Sequence, residues 1–247
     1  MSLYENTKLY DLVHGPFADS ETFEFYYQMA VRYGPKVLDA ACGTGHILIP
    51  LAEAGIDVCG FDISPEMLAA CERKAAEKNV TVDVWLDDLR GFRSEQRFDL
   101  IFVAGNSFQH LMTDEDISAA FRPIKTHLNP NGRVLIEMFN PSWPLLMREP
   151  EKRLMVGQFG DHILTEDSVY DAANRTSHTT WHFWHRPTGN ETSLTYNSRE
   201  YFYKDVTELF SLNGFVIENH FGEFDLSPYD EEMSSKHLVI ASPKANG

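Results

Sequence analysis

The sequence is poor in basic residues and contains no long apolar run. Its 247 residues include 21 lysines and arginines but 37 aspartates and glutamates, which gives a formal net charge of −16. Nucleic-acid binding depends on basic side chains that neutralise phosphates, and an anionic membrane surface attracts the same side chains. No apolar stretch approaches the roughly 20 residues that a transmembrane helix needs. We therefore expect no nucleic-acid partner and no membrane partner.

Cysteine is also scarce. Three cysteines, Cys42, Cys59 and Cys71, all lie in the first third of the chain. An odd number is poor material for a disulfide framework and favours a reducing compartment. Residues 1–8 lack the shape of a signal peptide, so we expect a soluble cytoplasmic protein. With 43% hydrophobic residues, the chain has material for one large α/β domain or one domain with an insertion.

The most informative stretch is residues 36–45, which read KVLDAACGTG. A short apolar run ends at Asp39, glycines follow at Gly43 and Gly45, and an apolar pattern with helical spacing begins at Ile47. This order predicts a strand, a tight glycine turn and the start of a helix. Glycine suits the turn because it tolerates positive φ and lets a ligand approach the backbone. The helix N-terminus directs free N–H groups at that ligand.

Several classes of protein use a glycine turn. A dinucleotide fingerprint would need a third glycine where Leu48 stands, and a phosphate-binding loop would need a lysine. Asp39 instead precedes the first glycine by four residues, which suits a ligand with an ammonium group. Residues 39–45 resemble the glycine-rich loop of the class I S-adenosylmethionine-dependent methyltransferases, small-molecule branch.

This resemblance implies a doubly wound, mostly parallel, seven-stranded Rossmann-like α/β sheet with helices on both faces. It also implies S-adenosylmethionine as the cofactor. The cofactor-binding residues that it implies in the turn are Asp39, Ala41, Gly43 and Gly45.

Two further acids follow predicted strands. Asp62 ends an apolar run 23 residues after Asp39, where a carboxylate can accept hydrogen bonds from ribose hydroxyls; the alternative is a surface turn acid. Asp88 and Leu89 follow the third strand, and the resemblance assigns them to the adenine amino group and a ring nitrogen. Ile63 and Met67 would flank the adenine, and each is otherwise an ordinary core residue.

The loop after the fourth predicted strand, residues 105–110, should face the transferred methyl group, because ligands bind beyond the carboxyl ends of parallel strands. Gly105 is predicted to contact the cofactor and Asn106 the substrate. His110 is the candidate catalytic base, since histidine exchanges protons near neutral pH; a structural histidine is the alternative. The loop lacks the Asn-Pro-Pro-Tyr tetrapeptide of many nucleic-acid amino-methyltransferases.

Residues 141–200 lack helical spacing and are rich in residues that favour strands. We predict three or four antiparallel strands that cover the active site. The aromatics of residues 181–184 would pack on the main sheet, on the substrate or on a second subunit, so a homodimer is one expectation. His182 and His185 point to opposite faces of a strand and have no acid or cysteine in register, so we predict no metal.

The ends of the chain supply the remaining candidates. Residues 1–35 are predicted to form a helical segment that either packs on the sheet or closes over the cofactor, with Tyr10 in contact with it. Arg199 and Tyr201 are candidate substrate-binding residues, and a surface ion pair is the alternative for Arg199. The predicted division is a lid at 1–35, a core at 36–140, an antiparallel insertion at 141–200 and a C-terminal part at 201–247.

These features predict an enzyme that moves a methyl group from S-adenosylmethionine to a nitrogen or oxygen of a small molecule by in-line displacement. Two alternatives remain. A regulatory protein that binds S-adenosylmethionine without transferring methyl groups would lack an open pocket beyond residues 105–110. An NAD-dependent oxidoreductase would share the fold type but is disfavoured by Leu48.

Overall fold

The computed structural model describes residues 2–15, 21–147, 149 and 153–245, apart from the side chain of Trp143. The helices in this part of the chain are α1 (Thr7–His14), α2 (Glu21–Tyr33), α3 (Leu48–Glu53), α4 (Pro65–Glu77), α5 (Asp114–His127), α6 (Trp143–Leu146) and α7 (Tyr203–Leu212). Short 3₁₀ turns cover Leu3–Glu5 and Ser107–His110.

The strands form two sheets. The larger one contains β1 (Lys36–Ala40), β2 (Asp57–Asp62), β3 (Asp83–Leu86), β4 (Phe98–Val103), β5 (Leu128–Phe139), β10 (Phe215–Phe221) and β11 (Lys236–Pro243). The smaller one contains β6 (Leu154–Phe159), β7 (His162–Asp171), β8 (Thr176–His185) and β9 (Asn190–Arg199).

The larger sheet has seven strands in the order β10-β11-β5-β4-β1-β2-β3. Strands β1 to β5 pair in parallel, and β11 is antiparallel to both neighbours. The strand order reverses between β1 and β4, so the loops after these two strands diverge and leave a crevice. This confirms the predicted fold class. The four-stranded antiparallel sheet follows β5 in the chain, as expected of the insertion.

Helix starts follow the local sequence. The Ser64 hydroxyl accepts a 3.2 Å hydrogen bond from the Met67 amide, and Pro65 occupies the first turn of α4. The Thr113 hydroxyl accepts a 3.1 Å bond from the Asp116 amide at the start of α5. Each of these two helices therefore begins at a hydroxyl side chain that caps its first turn.

Three apolar clusters hold the layers together. One cluster lies on the face of the larger sheet that packs against α5 and α7, and a second lies on the opposite face against α2, α3 and α4. A third cluster joins Leu3 and Leu9 of the N-terminal segment to Leu164, Trp181 and Phe183 of the smaller sheet. The N-terminal segment therefore packs against the insertion as well as the core.

The start of β5 differs from the prediction. The Asn-Pro-Asn-Gly stretch at 129–132 has the composition of a turn and predicts a strand beginning at Arg133, but β5 begins at Leu128, which pairs with Phe98. A register shift between Phe98 and Leu100 accommodates the extra residues. A Cβ on Gly132 would lie 2.8 Å from the Phe98 carbonyl oxygen, so the two backbones approach closely.

In the described part of the chain, no helix has the length and apolar character required to span a bilayer.

Candidate active site

The turn after β1 has the unusual backbone that its glycines suggested. Ala41, Gly43 and Gly45 have φ values of 68°, 55° and 81°. A Cβ on Gly45 would lie 2.6 Å from Cys71 Sγ, so that position requires glycine for space as well as for φ. The Cys42 amide donates a 2.8 Å hydrogen bond to the Phe61 carbonyl, which ties the turn to β2.

Two buried oxygen atoms beside this turn lack hydrogen-bond donors. Asp39 is 2% exposed, and neither its Oδ1 nor the Oδ1 of Asn106 has a partner among the described residues. Burial raises the pKa of Asp39 well above its usual range. Both residues line a cavity of about 190 Å³ between the loops after β1 and β4. Orphaned acceptors are rare, so this cavity suits a ligand that brings hydrogen-bond donors.

Ala41 and Gly105 line the same cavity, so the structure brings together four of the predicted contact residues. Gly43 and Gly45 shape the turn beneath it. The Tyr10 hydroxyl lies 3.7 Å from the place that a Cβ on Gly43 would take. Tyr10 lines this cavity too, as its predicted cofactor contact requires.

The acids after β2 and β3 make different contacts from those expected. Asp62 accepts a 2.8 Å hydrogen bond from the Gly43 amide and a 2.9 Å bond from the Ser64 amide. Burial raises the pKa of Asp62, although these amide bonds oppose the rise. Asp62 thus fixes the glycine turn, and it is not among the lining residues of this cavity. Its contact with a ribose remains a prediction.

Asp88 does not line this cavity either. The Arg90 Nη2 is 2.5 Å from Asp88 Oδ2, and this hydrogen bond lowers the pKa of Asp88. Ile63 is 62% exposed at the surface, whereas Met67 and Leu89 are buried. The adenine contacts proposed for these residues remain predictions.

The N-terminal helix is fastened to the glycine turn by a polar cluster that the sequence did not reveal. Asp11 accepts hydrogen bonds from the Thr44 hydroxyl at 2.6 Å and from Lys74 Nζ at 3.1 Å, and His46 Nε2 lies 3.2 Å away. Burial by itself would raise the pKa of Asp11, but the bonds from His46, Thr44 and Lys74 lower it to about 2. Helix α1 is thereby fixed over the turn.

A second cluster positions the loop after β4. Glu137 accepts hydrogen bonds from the Tyr26 hydroxyl at 2.7 Å, Lys236 Nζ at 2.8 Å and the Gly105 amide at 3.0 Å. Burial acts to raise the pKa of Glu137, but the charge of Lys236 and these bonds lower it. Glu137 is not among the residues predicted from the sequence, although an acid inside the apolar run of β5 is a usable signal.

A larger cavity of about 460 Å³ adjoins the first. It lies between the inner face of the smaller sheet, the N-terminal segment and the 105–110 loop. The residues that line both cavities are Tyr10, His14, Gly105, Asn106 and Ser107. A molecule in the larger cavity would therefore meet a ligand in the smaller one at this junction.

His110 lines the larger cavity and has a defined proton arrangement. Its Nδ1 lies 2.7 Å from the Asn197 carbonyl oxygen, which can only accept, so Nδ1 donates. In the neutral ring Nε2 is then an acceptor, and the Tyr4 hydroxyl donates to it. Burial lowers the pKa of His110, which favours this neutral form.

Arg199 and Tyr201 are placed away from both cavities. Arg199 Nη2 lies 2.7 Å from Asp114 Oδ1, and the Tyr201 ring is buried in the core against Phe108. Neither residue lines the larger cavity, but their neighbour Glu200 does. These contacts do not support the predicted substrate roles of Arg199 and Tyr201.

The sheet order, the glycine turn at the switch point and the paired cavities define the class of the protein. It is an α/β protein with one cavity at the switch point of its sheet and a larger cavity beside it. Residues 37–132 match the family model described as a methyltransferase domain.

The sequence is 31% identical over 165 residues to a glycine/sarcosine N-methyltransferase from Aphanothece halophytica, a match that spans 65% of this chain and 62% of that protein. Matches to further curated methyltransferases span about half of their length.

Two solved structures share the fold over nearly the whole chain. The CcbJ methyltransferase from Streptomyces caelestis has a TM-score of 0.79 at 22% identity, over 91% of this chain and 90% of that one. An amino pentose methyltransferase from Micromonospora echinaspora, solved with S-adenosylmethionine bound, has a TM-score of 0.66 at 19% identity, over 94% and 90% of the two chains.

Residues 37–132 are thus similar to a methyltransferase domain, and the fold of the chain is the one that solved methyltransferases share. The S-adenosylmethionine bound in the amino pentose methyltransferase carries an ammonium group, and the orphaned oxygens of Asp39 and Asn106 fit such a donor.

Proposed function

We propose that this protein transfers a methyl group from S-adenosylmethionine to a nitrogen or oxygen of a small molecule by in-line displacement. The observation that carries the proposal is the junction of the two cavities at Tyr10, His14 and residues 105–107. One cavity has orphaned acceptors beside a glycine turn, and the other has room for an acceptor molecule. When bound, S-adenosylmethionine supplies an activated methyl group that a nucleophile displaces directly.

The protein's own residues then have to bind the two reactants, orient them and exclude water from the site. Asp39 and Asn106 receive the donors of the cofactor's ammonium group, while Asp62 holds the glycine turn in shape through the Gly43 amide. Helix α1 closes over the turn through Asp11. Glu137 holds the Gly105 amide at the junction, which keeps the two reactants aligned.

His110 is the proposed base. Its Nε2 accepts from the Tyr4 hydroxyl, and both side chains line the larger cavity. A proton from the nucleophile can pass to His110 Nε2 directly, or to the Tyr4 oxygen as Tyr4 gives its own proton to Nε2. The Asn197 carbonyl accepts from Nδ1 and stabilises the ring when Nε2 becomes protonated.

A nitrogen acceptor is favoured over an oxygen acceptor. The relatives named above act, by their names, on glycine or sarcosine nitrogen and on an amino pentose.

A regulatory protein that binds S-adenosylmethionine without transferring methyl groups is the second candidate. It was expected to lack an open pocket beyond residues 105–110, whereas Gly105, Asn106, Ser107, Gln109 and His110 all line the larger cavity. This lining favours the enzyme.

Calorimetry with S-adenosylmethionine, S-adenosylhomocysteine and NAD tests the proposal. We expect micromolar binding of the first two and none of NAD. Release of S-adenosylhomocysteine is then followed over a panel of amines, sugars and hydroxy acids. Binding of NAD alone would reject the proposal, and cofactor binding without turnover on any acceptor would favour the regulatory candidate.

A further inference from the structure

The smaller sheet gives the larger cavity a polar wall. Strand pairing sets Ser168 opposite Thr179 and Ser177 opposite Ser198, and all four hydroxyl groups line the cavity. Two carboxylates, Glu166 and Glu200, line it as well. Among the described lining residues there is no lysine or arginine. The fixed charge of this cavity is therefore negative.

Glu200 is the more informative of the two acids. Its side chain is 5% exposed, and its Oε1 accepts a 3.0 Å hydrogen bond from the Ser198 hydroxyl. Within the described part of the chain it forms no ion pair, and no cation lowers its pKa. Burial raises the pKa of Glu200, and the charge of Glu166 adds to the rise. A buried carboxylate costs free energy unless a counter-charge is supplied.

Glu166 extends the acidic wall towards the junction. Its Oε2 accepts a 2.9 Å hydrogen bond from Trp181 Nε1, which fixes the carboxylate. The Trp181 ring lies 5.8 Å from the ring of His14, and His14 lines both cavities. Glu166 is therefore linked, through the Trp181 ring, to His14 at the junction of the two cavities.

The same cavity has an apolar side. Leu145, Leu154 and Met155 line it and are 40%, 41% and 57% exposed. Exposed apolar residues around a cavity are typical of a ligand-binding entrance. The cavity therefore offers an apolar surface, a row of hydroxyl groups and a buried carboxylate without a counter-ion.

We propose that the larger cavity binds a cationic amine, whose ammonium group pairs with the Glu200 carboxylate beside Glu166. The inference rests on the proposed function and narrows the substrate class to amines that arrive protonated. The row of hydroxyls and the apolar entrance hold the rest of the molecule. An anionic substrate is excluded from this wall by the two carboxylates.

The test is a set of calorimetric titrations with matched probes. The amines are 3-phenylpropylamine and glucosamine, and their neutral counterparts are 3-phenylpropanol and glucose. Each is titrated into the protein alone and into the protein saturated with S-adenosylhomocysteine. We expect at least one amine to bind about tenfold or more tightly than its counterpart, as a charge-assisted bond to a buried carboxylate requires.

Variants assign the effect to the proposed carboxylate. Glu200→Gln should abolish the preference for the amine, because it keeps the shape but removes the charge. Glu191→Gln is the matched control, since Glu191 lies in β9, the strand that ends just before Glu200, and it pairs with Arg153 and does not line the cavity. It should leave the preference intact.

The inference is overturned if neither amine binds more tightly than its neutral counterpart, or if the preference survives in Glu200→Gln. The comparison of each amine with its neutral counterpart uses wild-type protein, so it tests the inference even if Glu200→Gln fails to fold. Failure of the proposed function is a separate result, because it would appear as an absence of S-adenosylhomocysteine binding or as an absence of turnover on every acceptor of the panel.

Discussion

The Asp11 carboxylate of α1 accepts a 2.6 Å hydrogen bond from the Thr44 hydroxyl, which stands between the two glycines of the turn after β1. Lys74 of α4 donates to both Asp11 and Thr44. One carboxylate therefore connects α1, the glycine turn and α4. Helix α1 also carries Tyr10 and His14, which line the junction of the cavities. The Asp11 contact therefore holds these two side chains in place over the glycine turn.

Asp11→Ala should loosen α1 without unfolding the core. We expect S-adenosylmethionine to bind about three- to tenfold more weakly, the equivalent of one or two hydrogen bonds. Amide hydrogen exchange over residues 7–14 should become faster in the same variant. Glu232→Ala removes an exposed acid elsewhere and is the control. Unchanged exchange in α1 would show that Asp11 does not fasten the helix.

Asp39→Asn should raise the free energy of unfolding and at the same time weaken the binding of S-adenosylmethionine. Burial raises the pKa of Asp39 above its unfolded value, so the folded protein loses stability as the pH rises through that raised pKa. The amide removes this loss, and we expect the free energy of unfolding at pH 7 to rise by about 1 kcal/mol.

The same substitution should weaken S-adenosylmethionine binding by about 10- to 100-fold, because a charge-assisted bond is lost. Urea unfolding and calorimetry measure the two effects. A variant that binds as tightly as the wild type would remove Asp39 from the site.

Gly45→Ala should destabilise the protein by about 2–4 kcal/mol, since an unfavourable φ and a steric overlap with Cys71 add together. Gly189→Ala is the control for the φ effect alone. Its φ is 72°, but a Cβ there would meet nothing within 4 Å. Urea denaturation of both variants gives the difference. Equal losses would mean that Cys71 and Ile49 move aside at little cost.

Tyr4→Phe should shift the pH profile of methyl transfer. Tyr4 donates to the neutral Nε2 of His110 and so stabilises the unprotonated ring. Without this donor the pKa of His110 rises, and the acidic limb of the kcat profile should move to higher pH. Tyr196→Phe changes another tyrosine of the same cavity and serves as the comparison. An acidic limb that stays in place in Tyr4→Phe would favour a structural role for His110.

His237 should make the protein less stable in mild acid. Burial lowers its pKa to about 3, and its Nε2 donates a 3.1 Å bond to the Tyr201 carbonyl. Its contribution is complete above the unfolded pKa near 6.5 and is lost as the pH falls towards 3, because only the unfolded state takes up the proton.

Within that window the loss approaches about 1.4 kcal/mol per pH unit. His237→Gln should therefore show a shallower dependence of unfolding free energy on pH between 6 and 4. His178→Gln, at an exposed histidine, is the control. Parallel slopes for wild type and His237→Gln would contradict the assignment.

The sequence by itself determined the features that depend on near neighbours in the chain. The strand-turn-helix at residues 36–53, the caps at Ser64 and Thr113, the order of strands and helices and the antiparallel insertion all follow from local spacing and turn chemistry.

Only the tertiary structure decided which polar groups share a cavity. Arg199 and Glu200 are adjacent in sequence, yet Arg199 pairs with Asp114 and Glu200 lines the larger cavity. Asp62 meets the Gly43 amide, and Glu137 meets Lys236 from β11. Hydrogen bonds and ion pairs act over a few ångströms, and which distant residues come that close depends on how strands and loops pack.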